Sequence, residues 1–167
     1  AISSLSDALR KQTIVVNGVS TTYAMTGWRV GFAVAEPEII AGMAKIISQT
    51  TSNLTAVSQY AAIEALTGDQ SSIETMRQAF EERLNTIYPL LAEVPGFEVI
   101  KPQGAFYLFP NVKKAMEMKG FTDVTDFTNA LLEEAEVAMV TGDGFGAQEN
   151  IRLSYASDMD NLQVAFL

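Results

Sequence analysis

The sequence predicts an α/β segment followed by an α+β segment, and three observations carry that expectation. Up to Leu66, two short β-branched runs flank a polar loop and are followed by two stretches with helical apolar spacing. A long amphipathic helix then opens near Ser71. From Phe97 onward the order changes to strand, strand, helix, strand, strand, which is α+β in character. The boundary is expected near Thr67–Ser71, giving domains 1–68 and 69–167 with a bridging helix over 72–91.

Each element has its own signal. Thr13-Ile14-Val15-Val16 is short and β-branched and is closed by Asn17-Gly18, so it reads as a buried strand entering a turn. Gly31–Ala35 is a second strand candidate. Pro37 suits a helix first turn, and Ile39, Ile40, Met43, Ile46 and Ile47 recur at three- and four-residue spacing behind it. Val57, Tyr60, Ala61 and Ile63 to Leu66 mark the next helix, which ends at Gly68. Ser71 and Glu74 fit a capping box, with Ser71 as N-cap, and Ile73, Met76, Phe80, Leu84, Ile87 and Leu91 form the apolar stripe of the helix that follows. Pro89 is expected to kink or thin its last turn, and Pro95-Gly96 marks the exit. Strands are expected at 98–101, 105–109, 137–140 and 151–155, with a helix over Asp123–Ala135.

Composition narrows the chemistry. At 167 residues, 48% hydrophobic and 19% charged, the chain can bury a domain-sized core. Twenty acidic against 11 basic residues give a net charge of −9, which disfavours nucleic acid and anionic membrane surfaces. With no Cys and no His, disulfides, thiolate nucleophiles, Cys/His metal sites and His acid/base catalysis are excluded, and no metal is expected. Catalysis would need Lys, carboxylates, Tyr or a cofactor. No apolar run approaches the ~20 residues of a membrane span, and a cytoplasmic location is expected.

Four motifs carry the functional reading. Val19 to Gly31 reads V-S-T-T-Y-A-M-T-G-W-R-V-G, with Arg29 after a Gly-Trp turn where a guanidinium can fork onto a phosphate. Ser48 to Asn53 reads S-Q-T-T-S-N. Gly104-Ala105-Phe106-Tyr107 follows Pro102, and Ile151 to Ala156 reads I-R-L-S-Y-A. In a strand, Ile151, Leu153 and Tyr155 share one face while Arg152 and Ser154 take the other. The Thr141–Gly146 loop before it is rich in Gly, but no helix follows to supply a dipole, so a nucleotide cradle is rejected.

Taken together, in this order and over essentially the whole chain, these motifs resemble those of the fold-type I pyridoxal-phosphate aminotransferases of class I/II, the aspartate and aromatic enzymes. Their anchoring pattern is S-K-x-x-A-M-T-G-W-R. The resemblance implies the end of the large α/β domain followed by the small C-terminal α+β domain of an enzyme more than twice as long, with its last helix truncated here. It implies pyridoxal 5'-phosphate as cofactor, an amino acid and a 2-oxo acid as substrates, and a homodimer whose S-Q-x-T-S-N segment approaches the partner's active site. Arg29 corresponds to the residue that holds the cofactor phosphate, Ser20 is a weaker phosphate donor, and Arg152 corresponds to the residue that forks onto the substrate carboxylate. The G-x-x-F-G outline at Gly142–Gly146 is also family-like. Trp28 is expected to pack in the large-domain core.

One position departs from the pattern. Thr21 stands in the slot of the Schiff-base lysine. A hydroxyl forms no imine and is a poor base, so the chain is expected to hold no covalently bound cofactor and to be inactive. An engineered inactivation, a sequence error and a natural non-catalytic relative account for Thr21 equally. Two other functions stay open: a fold-type I lyase, and the aminotransferase-like sensor half of a transcription regulator.

Overall fold

The computed structural model describes residues 2–166. The chain divides into two compact units, Ala1–Glu74 and Thr75–Leu167.

In the first unit, helix α1 (Asp7–Lys11) is capped by Ser6, whose side chain accepts from the Leu9 N–H. Strands β1 (Val15–Gly18) and β2 (Gly31–Val34) pair antiparallel, Val15 opposite Val34 and Gly18 opposite Gly31. The first strand therefore lies two residues later than the sequence suggests. It is also not buried: Val16 is 76% exposed. Asn17 and Gly18 lie in the ladder instead of forming its turn. Gly18 is required there, because a Cβ would sit 2.9 Å from the Val30 carbonyl oxygen.

Helix α2 (Pro37–Thr50) begins with the expected proline, which needs no intrahelical donor in the first turn. Its Ile39, Ile40 and Met43 are half-buried, whereas Ile46 and Ile47 are exposed. Helix α3 (Ala56–Thr67) is capped by the Thr55 hydroxyl and ends at Gly68. The core of the unit is small: Val19, Met25, Val30 and Ala62, with Tyr23, Leu54, Ala61 and Ala65 packed on it. Trp28, expected in a core, is 43% exposed in its 3₁₀ turn.

Helix α4 (Ser71–Glu93) starts in the first unit and continues into the second. It begins at Ser71 itself, and the Asp69 carboxylate accepts from the Ser71 N–H at 3.1 Å. The helix passes through Pro89, which lacks an N–H to donate, and extends two residues beyond the expected end.

The second unit contains a three-stranded antiparallel sheet in the order β3 (Tyr107–Leu108), β5 (Ile151–Ser154), β4 (Val140–Thr141). The expected strand at 98–101 contracts to a bridge between Glu98 and Asn111. The strand at 105–109 shortens because Ala105 adopts a left-handed φ of 59°. The strand at 137–140 starts late, since Glu136 (φ 57°) and the Val137 N–H to the Leu131 carbonyl close the preceding helix. Helix α5 (Lys113–Lys119) was not expected; helix α6 (Val124–Ala135) was, one residue after Asp123, its cap. A last helix, α7 (Met159–Val164), is capped by Asp158. Two clusters form the core: Ile87, Leu91, Leu108, Leu153, Tyr155 and Leu162, and Val112, Ala115, Met116, Val124, Phe127 and Ile151.

Candidate functional site

The loop between β1 and β2 is built by its own backbone. Val19 is fully buried and its N–H donates to the Val30 carbonyl. The Met25 N–H reaches back to the Ser20 carbonyl at 2.9 Å, and Ala24 takes a left-handed φ of 52°. A 3₁₀ turn over Thr26–Trp28 follows and ends on Arg29, also left-handed at φ 58°. Such a conformation costs a non-glycine residue on the order of 1 kcal/mol. The loop closure supplies it, and the result is an arginine turned back on its own turn, with Nη1 donating to the Thr26 carbonyl oxygen at 2.9 Å.

Ser20, Thr21 and Arg29 line one open pocket of about 400 Å³, with Asn17, Gly18, Thr22, Val30 and Gly31. The three candidate residues of the anchoring motif are thus brought together. Sequence reasoning did not single out Asn17 or Thr22; the available signal was their position beside the motif, in a loop entered by Asn-Gly. The lining holds hydroxyls and one guanidinium but no carboxylate, and no carboxylate among the described residues pairs with Arg29. That donor set suits a dianionic phosphate. It does not suit an aldehyde that must be held covalently, because the side chain at position 21 is an exposed threonine.

Arg152 belongs to the second unit. The alternation in β5 is as expected: Ile151, Leu153 and Tyr155 are buried, Arg152 is half-buried and Ser154 exposed. The strand is central, not an edge, with Tyr107 opposite Ser154 and Val140 opposite Arg152. Burial raises the pKa of the Tyr155 phenol, and its hydroxyl donates to the Ala105 carbonyl at 3.0 Å, tying the start of β3 to the end of β5. The Arg152 guanidinium carbon lies 4.5 Å from the Tyr107 ring centroid and 4.9 Å from that of Phe145. No acceptor among the described residues takes a hydrogen bond from it. These ring contacts were missed from the sequence, although both aromatics fall inside motifs that were noticed.

The segment before β5 is tightly folded. The Gly142 N–H donates to the Asn150 carbonyl at 2.7 Å, the Phe145 N–H to Gly142 at 2.9 Å, and Gly146 is left-handed at φ 72°. A Cβ on Gly142 would lie 2.0 Å from the Ala147 carbonyl oxygen. Among the described residues no group of His, Cys, Asp and Glu could hold a metal ion, and no helix is long and apolar enough to cross a membrane.

Comparison with known proteins places the chain in a family. The chain is 73% identical to an asparagine–oxo-acid transaminase of Streptococcus mutans over 98% of its own length and 42% of that protein's. It superposes on the crystal structure of the aspartate aminotransferase of Rhizobium meliloti with a TM-score of 0.86 at 35% identity, covering 97% of this chain and 42% of that one. The Thermus thermophilus aspartate aminotransferase with maleate gives the same TM-score at 34% identity, covering 95% and 40%. The chain therefore spans about two fifths of the length of these relatives, and its fold is part of the fold-type I architecture. The model of the aminotransferase class I and II family matches residues 2–166, so the chain belongs to that family of pyridoxal-phosphate-dependent enzymes.

Proposed function

We propose that the protein carrying this chain is built to transfer an amino group between an amino acid and a 2-oxo acid, and that the chain contributes two anion grips. Arg29, with Ser20 beside it, holds the phosphate of pyridoxal phosphate. Arg152 holds the substrate carboxylate. The cofactor, when bound, supplies the electron sink that lets a bond at the amino acid's Cα break. The observation that carries the reading is the pocket shared by Ser20, Thr21 and Arg29, which unites an anion-binding donor set with the position that, by the resemblance of the V-S-T-T-Y-A-M-T-G-W-R motif, corresponds to the Schiff-base lysine.

The guanidinium of Arg29 brings charge to the phosphate, and its attachment to the Thr26 carbonyl fixes which donors face the pocket. Thr21 can donate a hydrogen bond there but can neither form an imine nor shuttle a proton as an amine does. The chain as it stands therefore binds cofactor without a covalent link and does not turn over. This same residue favours a second reading, a non-catalytic protein that senses the cofactor or an amino acid. The S-Q-T-T-S-N segment at Ser48–Asn53 is exposed at the end of α2, and its resemblance to the family segment that approaches the partner's active site supports a homodimer. A cytoplasmic location fits both readings.

The test is the full-length protein with and without Thr21→Lys. The lysine variant should interconvert an amino acid and its 2-oxo acid at a rate within about tenfold of a typical enzyme's ~10 s⁻¹, and borohydride should fix the cofactor on residue 21. The unaltered protein should show neither. A lysine variant that binds cofactor yet transfers no amino group with any donor would favour the sensor.

A further inference from the structure

The way Arg152 is held points to two residues beyond those already assigned. Its guanidinium carbon lies over the faces of Tyr107 and Phe145, and these rings arrive by independent routes. Tyr107 comes from β3, paired to β5. Phe145 ends the 3₁₀ turn Asp143–Phe145 in the loop closed by Gly142 and Asn150, and Phe109 meets its ring edge-on at 5.9 Å and 88°. Core packing does not explain Phe145, which is 54% exposed.

Electrostatics does. A ring face attracts a cation through its quadrupole but carries no strong hydrogen-bond acceptor. A carboxylate in the same place would orient the arginine equally well, yet it would neutralise the charge and occupy the fork. Two rings restrain the guanidinium and leave its N–H groups unspent, which is what an incoming carboxylate requires. We infer that Phe145 and Tyr107 are positioning residues that orient Arg152 toward the substrate carboxylate, so that the ligand does not bear the cost of ordering a long side chain. This rests on the reading of Arg152 as the carboxylate grip.

The experiment measures maleate binding by calorimetry to the full-length protein loaded with pyridoxal phosphate, alongside the thermal midpoint. Arg152→Leu should weaken maleate by roughly 30-fold or more. Phe145→Leu and Tyr107→Leu should each weaken it about fivefold to tenfold. Phe145→Tyr, which keeps the ring, should stay within about twofold of the unaltered protein, and Phe145→Leu should leave the thermal midpoint unchanged. In an Arg152→Leu background, Phe145→Leu should have no further effect, because its action passes through the arginine. Full binding in both leucine variants, or a loss that persists without Arg152, overturns the positioning role while leaving the carboxylate grip intact. Maleate binding that is absent from the unaltered protein, or unaffected by Arg152→Leu, overturns the grip and the positioning role with it.

Discussion

The two units use their apolar residues differently. The second buries the stripe of α4 and the inner face of β5 in clusters containing Ile87, Leu91, Leu153, Tyr155, Val124 and Phe127. The first has a core centred on Val19, Met25, Val30 and Ala62, and leaves Val16, Val34, Ile46, Val57, Tyr60 and Ile63 exposed on β1, β2, α2 and α3. Yet the first unit also shapes a polar loop, with two non-glycine residues in left-handed geometry within the anchoring motif. Local backbone closure can shape a site without a large core. It cannot by itself supply the stability that holds the site against thermal opening, so the first unit should open more readily.

The largest effect that would break this comparison comes from paired truncations in the chain itself. Ile87→Ala should cost about 3–4 kcal/mol in urea unfolding, by lost burial and a residual cavity. Ile46→Ala, exposed on α2, should stay within about 0.5 kcal/mol. Equal losses would mean that the open faces of the first unit are covered in solution.

A somewhat smaller effect sharpens the contrast at the level of the loops. Gly142→Ala forces a Cβ into the Ala147 carbonyl and should cost roughly 2–3 kcal/mol. Gly27→Ala, in the anchoring loop where a Cβ meets nothing within 4 Å, should be near neutral. Thermal midpoints of the two variants compare them directly.

For function the discriminating change is Arg152→Lys in the full-length protein carrying Thr21→Lys. It keeps the charge and loses the fork, so kcat/KM should fall by roughly 30-fold, about 2 kcal/mol, with little change in the thermal midpoint. An unchanged kcat/KM would return Arg152 to an ordinary half-buried strand residue.

The smallest effect is acid sensitivity. In the second unit Asp123 and Asp158 cap helices, backbone N–H groups hold their pKa values below the ordinary range, and Lys113 does the same for Glu149. A lowered folded value means that the contribution is complete above the unfolded carboxylate value near ~4 and disappears as pH falls through the folded one. The first unit caps α1 and α3 with Ser6 and Thr55, which do not titrate. Hydrogen exchange followed from neutral pH to below ~4 should therefore show protection declining at α6 and α7 with no matching loss attributable to the α1 and α3 caps.

Much of this was legible beforehand where the chain is periodic. The three- and four-residue spacing in α4 and the alternation in β5 each predicted a face that the structure presents as expected, whereas in α2 the spacing predicted the helix but only Ile39, Ile40 and Met43 of its stripe are half-buried and Ile46 and Ile47 stay exposed. Helix α5 escaped because seven residues, K-K-A-M-E-M-K, are too few to establish a period; Gly120, left-handed at φ 78° just beyond it, was the one cue. The β1 register was misjudged because Asn17-Gly18 is a strong turn signal that ladder pairing with Phe32 and Gly31 overrode. The pocket around Ser20, Thr21 and Arg29 followed from a contiguous motif. The rings over Arg152 did not, because they come from residues 45 and seven positions away, and only the sheet and the Gly142 turn bring them together.

The left-handed backbone at Arg29 sets stability against function at one residue. Glycine would relax the φ of 58° and release on the order of 1 kcal/mol of strain, while removing the guanidinium proposed to hold the phosphate. Variants ranked by thermal midpoint alone would therefore tend to favour glycine at this position, and variants ranked by retained cofactor would favour arginine. The conflict between those two selections identifies position 29 as one where the fold accepts strain to keep a charge in place.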